Sequence, residues 1–222
     1  MRLYLCGGGC GEQIRSAFID FAENIDKTKP ILYIPLAMNN SKYDGCYKWF
    51  KEELKTVDLS NFEMVQSSYE LSKKDLSQYS AIFIGGGNTY KLLGELKEYK
   101  NFEKFKNYDG VIFGGSAGAI IFGKNIDSCK LEDSNDIGLK DTSGFNYLNN
   151  YSILCHLDEK HFEKNKDYLK EYAKNNKVIY LPEEDVILIT GDNVGLFGKK
   201  EFVIFKDGNY EYHNFIDFNE II

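Results

Sequence analysis

Arginine is nearly absent from this chain of 222 residues: only Arg2 and Arg15 occur, and lysine supplies the other positive charge. Any site that holds a carboxylate must therefore depend on lysine, on backbone N–H groups or on these two arginines. A basic excess is also missing, because the formal net charge is −7. Nucleic acids and anionic lipid surfaces require a positive patch, so we expect neither as a partner.

The sequence also lacks a cysteine framework and a long apolar segment. The five cysteines are scattered and form no C-x-x-C pair, so neither a disulfide scaffold nor a zinc site is predicted. Reduced thiols of this kind are typical of the cytoplasm. The first apolar stretch, residues 3–6, is too short for a signal peptide or a membrane span. We therefore expect a cytoplasmic protein with no metal and no membrane partner.

What the sequence does contain is an alternation of apolar runs with amphipathic segments. Hydrophobic residues make up 43% of the chain, enough for one domain with a full core. The alternation predicts a single α/β domain over residues 1–222, with a mostly parallel sheet covered by helices on both faces. Alternating apolar positions from residue 186 onward predict an antiparallel C-terminal end, with Asp207-Gly208 as a hairpin turn. The predicted strands are residues 3–6, 31–35, 62–65, 81–84, 111–113, 152–157, 178–181, 186–189, 195–197 and 202–205, and the predicted helices are residues 12–24, 43–54, 88–99 and 163–174.

The most informative segment is Gly114-Gly115-Ser116-Ala117-Gly118, which lies between two apolar runs. A buried strand that leads through Gly-x-Ser-x-Gly into a helix is the layout of a nucleophile elbow. The serine then sits on a strained turn at a helix N-terminus, where free N–H groups favour a developing anion. The alternative interpretation is a Gly-rich turn with a capping serine. The pattern favours Ser116 as a nucleophile.

A serine nucleophile needs a base, and histidine is the usual one at neutral pH. Three histidines occur. His156 ends the predicted strand 152–157, so a parallel sheet would deliver it to the edge where Ser116 lies. His161 and His213 lie in charged or polar segments, which indicates solvated side chains. His156 is the predicted base.

The base needs an acid to orient it, and the sequence offers two. Glu183 follows the next predicted strand, whereas Asp136 lies in a long polar loop at residues 124–146. Triads are recognised by geometry and not by order along the chain, so the spacing leaves both open. An oxyanion hole needs two backbone N–H groups. Ala117, directly after the nucleophile, supplies one, and Gly87, at the end of a neighbouring strand, is the candidate for the other because it would let the substrate approach closely.

Together these motifs resemble the peptidase E (aspartyl dipeptidase) family of serine peptidases, which also contains cyanophycinase. The likeness runs in order from about residue 82 to the C-terminus. It implies a class I glutamine amidotransferase-like (flavodoxin-like) fold in which serine replaces cysteine at the elbow. The residues that carry it are Gly85-Gly86-Gly87-Asn88-Thr89, Gly115-Ser116-Ala117-Gly118-Ala119, Asn135-Asp136, Gly144-Phe145, Cys155-His156-Leu157-Asp158-Glu159 and Leu181-Pro182-Glu183.

The resemblance implies a hydrolase that acts on small peptides through an acyl-enzyme and needs no cofactor. It also selects Glu183 over Asp136 as the acid. The residues that it implies are Ser116, His156 and Glu183 for the triad, Gly87 and Ala117 for the oxyanion hole, and Asn88 and Asp136 for substrate binding.

The chain departs from the family in the residue that recognises aspartate. Peptidase E proper binds the N-terminal aspartate of its substrate partly through an arginine beyond the catalytic histidine, but no arginine follows Arg15 here. Lys160, Lys164 and Lys166 are the candidates to replace it, although a lysine is not a bidentate fork. We predict a serine dipeptidase or exopeptidase, with the Asp-X bond as one candidate substrate, acting as a monomer or homodimer. The alternatives are an esterase or amidase with the same triad, and a non-catalytic relative that binds a small ligand.

Overall fold

The computed structural model describes residues 1–214, which form a seven-stranded and a four-stranded sheet. In the larger sheet, five neighbouring strands are parallel and two antiparallel strands complete one edge. This is the predicted mostly parallel sheet with an antiparallel end. In spatial order the strands are β3 (Phe62–Met64), β2 (Ile31–Ile34), β4 (Ala81–Ile84), β5 (Val111–Gly115), β1 (Arg2–Cys6), β8 (Val186–Thr190) and β9 (Asn193–Phe197).

Helices cover both faces of this sheet. None of those within residues 1–214 is long and apolar enough to cross a membrane. Strand β1 shows how the faces divide, since Leu3 and Leu5 belong to one hydrophobic core and Tyr4 to the other. Full burial on both faces is what a parallel strand of continuous apolar residues requires. The helices are α1 (Arg15–Glu23), α2 (Tyr43–Lys55), α3 (Ser68–Lys73), α4 (Thr89–Lys97), α5 (Asn101–Lys106), α6 (Ala117–Ile120) and α7 (Glu159–Tyr172).

The smaller sheet corrects one expectation. The predicted strand 152–157 does not join the sheet that carries Ser116. The strand found there, Tyr151–Leu154, pairs in parallel with Lys177–Tyr180, which precedes Glu183, and with no other strand of residues 1–214. The predicted turn at Asp207 and Gly208 is present: both residues have positive φ (52° and 74°), and the predicted strand before it pairs antiparallel with residues 209–213, a strand that was not predicted. In spatial order this sheet consists of β11 (Asn209–His213), β10 (Phe202–Lys206), β7 (Lys177–Tyr180) and β6 (Tyr151–Leu154).

The start of helix α7 differs from the predicted one because a polar side chain caps this helix. Helix α7 begins at Glu159, before the predicted residue 163, because the Asp158 carboxylate accepts a hydrogen bond from the His161 N–H (2.7 Å). Helices α3 and α5, each six residues long, were not predicted, because so short a segment shows little helical periodicity.

Candidate active site

Ser116 lies on a strained turn between β5 and α6. Its backbone has φ 52° and ψ −112°, a conformation that a non-glycine residue rarely adopts. Close backbone packing holds the turn: a Cβ added to Gly114 would lie 2.2 Å from the Gly118 carbonyl oxygen, and one added to Gly118 would lie 2.3 Å from that of Ile84. The Ser116 N–H donates to the Cys6 carbonyl on β1 (3.0 Å). The elbow predicted from the sequence therefore has the geometry that exposes a serine hydroxyl at the carboxyl end of a parallel strand.

A continuous chain of hydrogen bonds links Ser116 to a carboxylate. The Ser116 hydroxyl lies 2.8 Å from Nε2 of His156, and Nδ1 of the same ring lies 2.8 Å from Oε1 of Glu183. The other two histidines lie apart from this arrangement, His161 against Asp158 at 2.8 Å and His213 on β11. A neutral imidazole that donates from Nδ1 to Glu183 presents an unprotonated Nε2 to the serine. The arrangement can remove a proton from Ser116.

The glycine segment 7–9, which follows β1, binds the backbone of both His156 and Glu183. The His156 N–H donates to the Gly7 carbonyl (2.9 Å), and the Gly9 N–H donates to the Glu183 carbonyl (2.9 Å). Gly8, at φ 126°, lies directly against the imidazole, since an added Cβ would be 2.3 Å from its Cε1 atom. In this way His156 reaches Ser116 although its strand belongs to the other sheet. The signal for this role in the sequence is the run of three glycines at residues 7–9.

Two backbone N–H groups beside Ser116 are available to an oxyanion. Those of Gly87 and Ala117 make no hydrogen bond to the residues that the structure describes. The neighbouring Gly86 packs against the serine, with an added Cβ 3.6 Å from its Oγ. The structure gives a further reason for a glycine at position 87, beside the predicted approach of a substrate. A Cβ there would collide with the Ala37 carbonyl oxygen at 2.6 Å, so the local backbone excludes a side chain, whether or not a substrate approaches.

Comparison with known proteins gives the family. The model of "Peptidase family S51" matches residues 3–197. The chain belongs to this family. "Peptidase E" from Nostoc sp. (strain PCC 7120) is 27% identical, over 86% of this chain and 83% of the relative. "Peptidase E" from Actinobacillus pleuropneumoniae serotype 5b (strain L20) is 26% identical, over 82% and 80%. A crystal structure of a Listeria monocytogenes EGD-e protein, provisionally named a peptidase E, matches with a TM-score of 0.73 at 23% identity, over 90% of this chain and 98% of that one. This last likeness shows the fold.

As a member of family S51 the chain is a peptidase-type hydrolase, and its predicted substrate-binding residues can be placed. Asn88 is engaged at both ends of its side chain: Oδ1 accepts from the Lys91 N–H at the start of α4 (2.8 Å), and Nδ2 donates to the Ser134 carbonyl (2.8 Å). Asp136 is exposed and accepts from the Ser134 hydroxyl (2.8 Å). The carboxylate that contacts His156 is thus that of Glu183 and not that of Asp136. A contact of Asn88 or Asp136 with substrate stays a prediction.

The long loop 124–146 is tied to the helices on either side of it. Its Asp133 carboxylate accepts from the Thr89 N–H of α4 (2.8 Å), and its Glu132 pairs with Lys164 of α7 (2.7 Å). Of the lysines proposed to replace the family arginine, Lys164 is therefore occupied, and Lys166 pairs with Glu163 (2.6 Å).

The two arginines are occupied as well. Arg2 pairs with Asp20 at 2.5 Å, and Arg15 pairs with Glu12 at 3.3 Å. No arginine or lysine of residues 1–214 lines the cavity next to Ser116.

That cavity, of about 440 Å³, opens beside Ser116 between the sheet edge and helices α1 and α2. Its size falls within the usual range of small-molecule sites, about 300–1,000 Å³. We call it the aromatic cavity, because five phenylalanine, tyrosine and tryptophan rings line it beside the His156 imidazole, and its remaining walls are mainly glycine and aliphatic or sulfur-containing side chains. The rings belong to Phe18, Tyr33, Trp49, Phe83 and Phe113.

A second cavity lies on the other side of His156 and has the opposite character. This acidic cleft, of about 810 Å³, is lined by six carboxylates together with Phe162, Tyr210 and Tyr212. Among the described residues, Lys200 is the one lysine or arginine that lines it. A surface of this kind repels anionic groups that approach the histidine from that side. The carboxylates are those of Asp158, Glu159, Glu163, Glu183, Glu184 and Glu201.

Proposed function

We propose that this member of family S51 is a serine peptidase that hydrolyses short peptides as a dipeptidase or exopeptidase. The observation that carries the proposal is the chain of two 2.8 Å hydrogen bonds that joins the Ser116 hydroxyl, the His156 ring and the Glu183 carboxylate. The strained backbone of Ser116 supports it, because strain of this kind is retained at functional sites.

In the acylation step, Ser116 Oγ attacks the carbonyl carbon of the scissile peptide bond while Nε2 of His156 takes the hydroxyl proton. Glu183 holds Nδ1 and stabilises the imidazolium that forms. The N–H groups of Gly87 and Ala117 donate to the tetrahedral oxyanion. When the intermediate collapses, the C–N bond breaks, and the imidazolium gives its proton to the departing amine.

In the deacylation step, water replaces the amine beside His156. The same Nε2 takes a proton from the water, and the resulting hydroxide attacks the ester carbonyl. Collapse of the second intermediate breaks the bond to Oγ, and the imidazolium returns its proton to Ser116. Both steps balance without a metal or an organic cofactor.

The first experiment is amine release from a panel of dipeptides, with the wild-type protein beside Ser116→Ala. Ser134→Ala is the matched control. It removes a serine hydroxyl that donates a hydrogen bond to the Asp136 carboxylate and does not contact a histidine. We expect turnover in the wild type and the control and none in Ser116→Ala. Covalent labelling by a serine-directed phosphonate, mapped by mass spectrometry, should fall on Ser116.

The other outcomes identify the alternatives. Labelling of Ser116 with hydrolysis of p-nitrophenyl esters but of no peptide would indicate the esterase. A folded protein that neither labels nor hydrolyses any substrate would refute the proposal and indicate a ligand-binding relative.

A further inference from the structure

We infer that the aromatic cavity is the subsite for the side chain of the residue whose carbonyl Ser116 attacks, and that it selects an apolar or aromatic side chain. This inference rests on the proposed function and names its substrate class: peptides that begin with a residue such as phenylalanine, leucine or methionine. Aspartate in that position is disfavoured.

The position of the cavity supports this role. Ser116, His156 and Gly87 all contribute to its lining, so the cavity adjoins the nucleophile, the base and one oxyanion donor at once. A carbonyl carbon within reach of Ser116 Oγ, with its oxygen on the Gly87 N–H, has its own Cα one bond further on. The side chain on that Cα has the aromatic cavity as neighbouring space. The acidic cleft instead begins beyond the imidazole, next to Glu183.

The floor of the cavity is rigid and apolar. Phe18, Tyr33, Phe83 and Phe113 are each at most 3% exposed, and the rings of Phe83 and Phe113 stack with centroids 5.0 Å apart. Burial raises the pKa of the Tyr33 hydroxyl far above its usual value, so this group stays neutral. An apolar side chain that enters leaves water and packs against an apolar wall whose rings are already held in place by their neighbours.

A carboxylate in the same position would lose its hydration without gaining a partner. The lining contains no arginine or lysine among residues 1–214, and Arg2 and Arg15 are paired with acids elsewhere. Burial of an unpaired carboxylate is strongly unfavourable. The acidic cleft on the far side of His156 adds like-charge repulsion. Lost hydration inside the cavity and like-charge repulsion from the acidic cleft therefore both disfavour aspartate.

Trp49 and Gly45 of α2 form the outer wall. Trp49 is 38% exposed and packs edge-to-face on Phe83 at 6.5 Å. A Cβ added to Gly45 meets no atom within 4 Å, so a larger side chain can enter open space there without displacing the fold. Leucine is also a better helix former than glycine. Gly45→Leu thus narrows the cavity from its rim, and Lys48→Leu on the exposed side of the same helix is the matched control.

The test compares kcat/KM for Phe-Ala, Leu-Ala, Ala-Ala and Asp-Ala. In the wild type we expect Phe-Ala or Leu-Ala to exceed Asp-Ala by about tenfold or more, the discrimination that burying one large apolar side chain provides. Gly45→Leu should lower kcat/KM for Phe-Ala by about tenfold relative to Ala-Ala, while Lys48→Leu should leave that ratio within about twofold of the wild type. Asp-Ala as the best substrate, or an equal loss on all substrates in Gly45→Leu, would overturn the inference.

A second readout does not depend on peptide turnover. Diphenyl phosphonate analogues of phenylalanine and aspartate are compared by their rates of covalent reaction with Ser116. A rate about tenfold higher for the phenylalanine analogue is expected. Labelling at equal rates, or faster labelling by the aspartate analogue, would overturn the subsite while leaving the serine peptidase intact. Labelling by neither analogue, with no peptide hydrolysed, would instead refute the proposed function itself.

Discussion

Replacing Gly8 by alanine tests how His156 is held against Ser116. The new methyl carbon would lie 2.3 Å from Cε1 and 2.6 Å from Nδ1 of the imidazole, whereas ordinary contacts begin near 3.4 Å. The ring must therefore retreat by about 1 Å, and it cannot do so while keeping both of its 2.8 Å hydrogen bonds. A misplacement of about 1 Å in a catalytic group costs on the order of 100-fold in rate. We expect kcat/KM to fall by about that factor.

The assay is kcat/KM on the best dipeptide of the panel, together with thermal unfolding. Alanine at φ 126° also strains the backbone by about 1–3 kcal/mol, so stability must be measured separately. Gly11→Ala is the control, because Gly11 also has positive φ (56°) but an added Cβ meets no atom within 4 Å. It should lose stability and keep its activity.

The result that would refute this reasoning is a folded Gly8→Ala protein as active as Gly11→Ala. The imidazole would then have room that the structure does not show, and the glycine segment 7–9 would not position it. An equal loss of activity in both variants would likewise contradict a specific contact between Gly8 and His156, because only backbone strain is common to the two.

Three further changes have separate expected outcomes. Glu183→Gln should lower kcat about 10⁴-fold, because the glutamine no longer stabilises the imidazolium, while Asp136→Asn should leave kcat nearly unchanged; equal losses would contradict the triad assignment. Asn88→Ala should destabilise the fold by about 1 kcal/mol in urea titrations through loss of its helix cap, and Asn88→Asp should restore most of it; no loss in Asn88→Ala would show that the cap is dispensable. Burial raises the pKa of Asp185 to about 6. The folded state therefore keeps a proton that the unfolded chain loses, and the free energy of unfolding should fall by up to about 3 kcal/mol between roughly pH 4 and pH 6, a slope that Asp185→Asn should lack.

Local sequence was sufficient for the nucleophile and for the class of fold. The elbow is encoded within a few residues, because an apolar strand, two glycines that allow close backbone packing and a following helix must be consecutive to place Ser116. Continuous apolar runs separated by amphipathic segments likewise indicate parallel strands buried on both faces. The family resemblance rested on the same consecutive motifs, and the match to family S51 confirmed it.

The residue pattern without the family resemblance left open which acid meets His156 and what surrounds Ser116, and the tertiary structure shows both. The two hydrogen bonds of His156 join residues 40 and 27 positions apart, and neither strand that leads to His156 or Glu183 lies in the sheet of Ser116. Spacing along the chain could not distinguish Glu183 from Asp136, because the choice depends on how the second sheet and the glycine segment 7–9 pack against β1. The aromatic cavity could not be predicted from the sequence for the same reason. Its rings come from two helices and three strands, and the local sequence around each ring indicates only a core residue. Contacts between distant segments are fixed by packing, which no local pattern records.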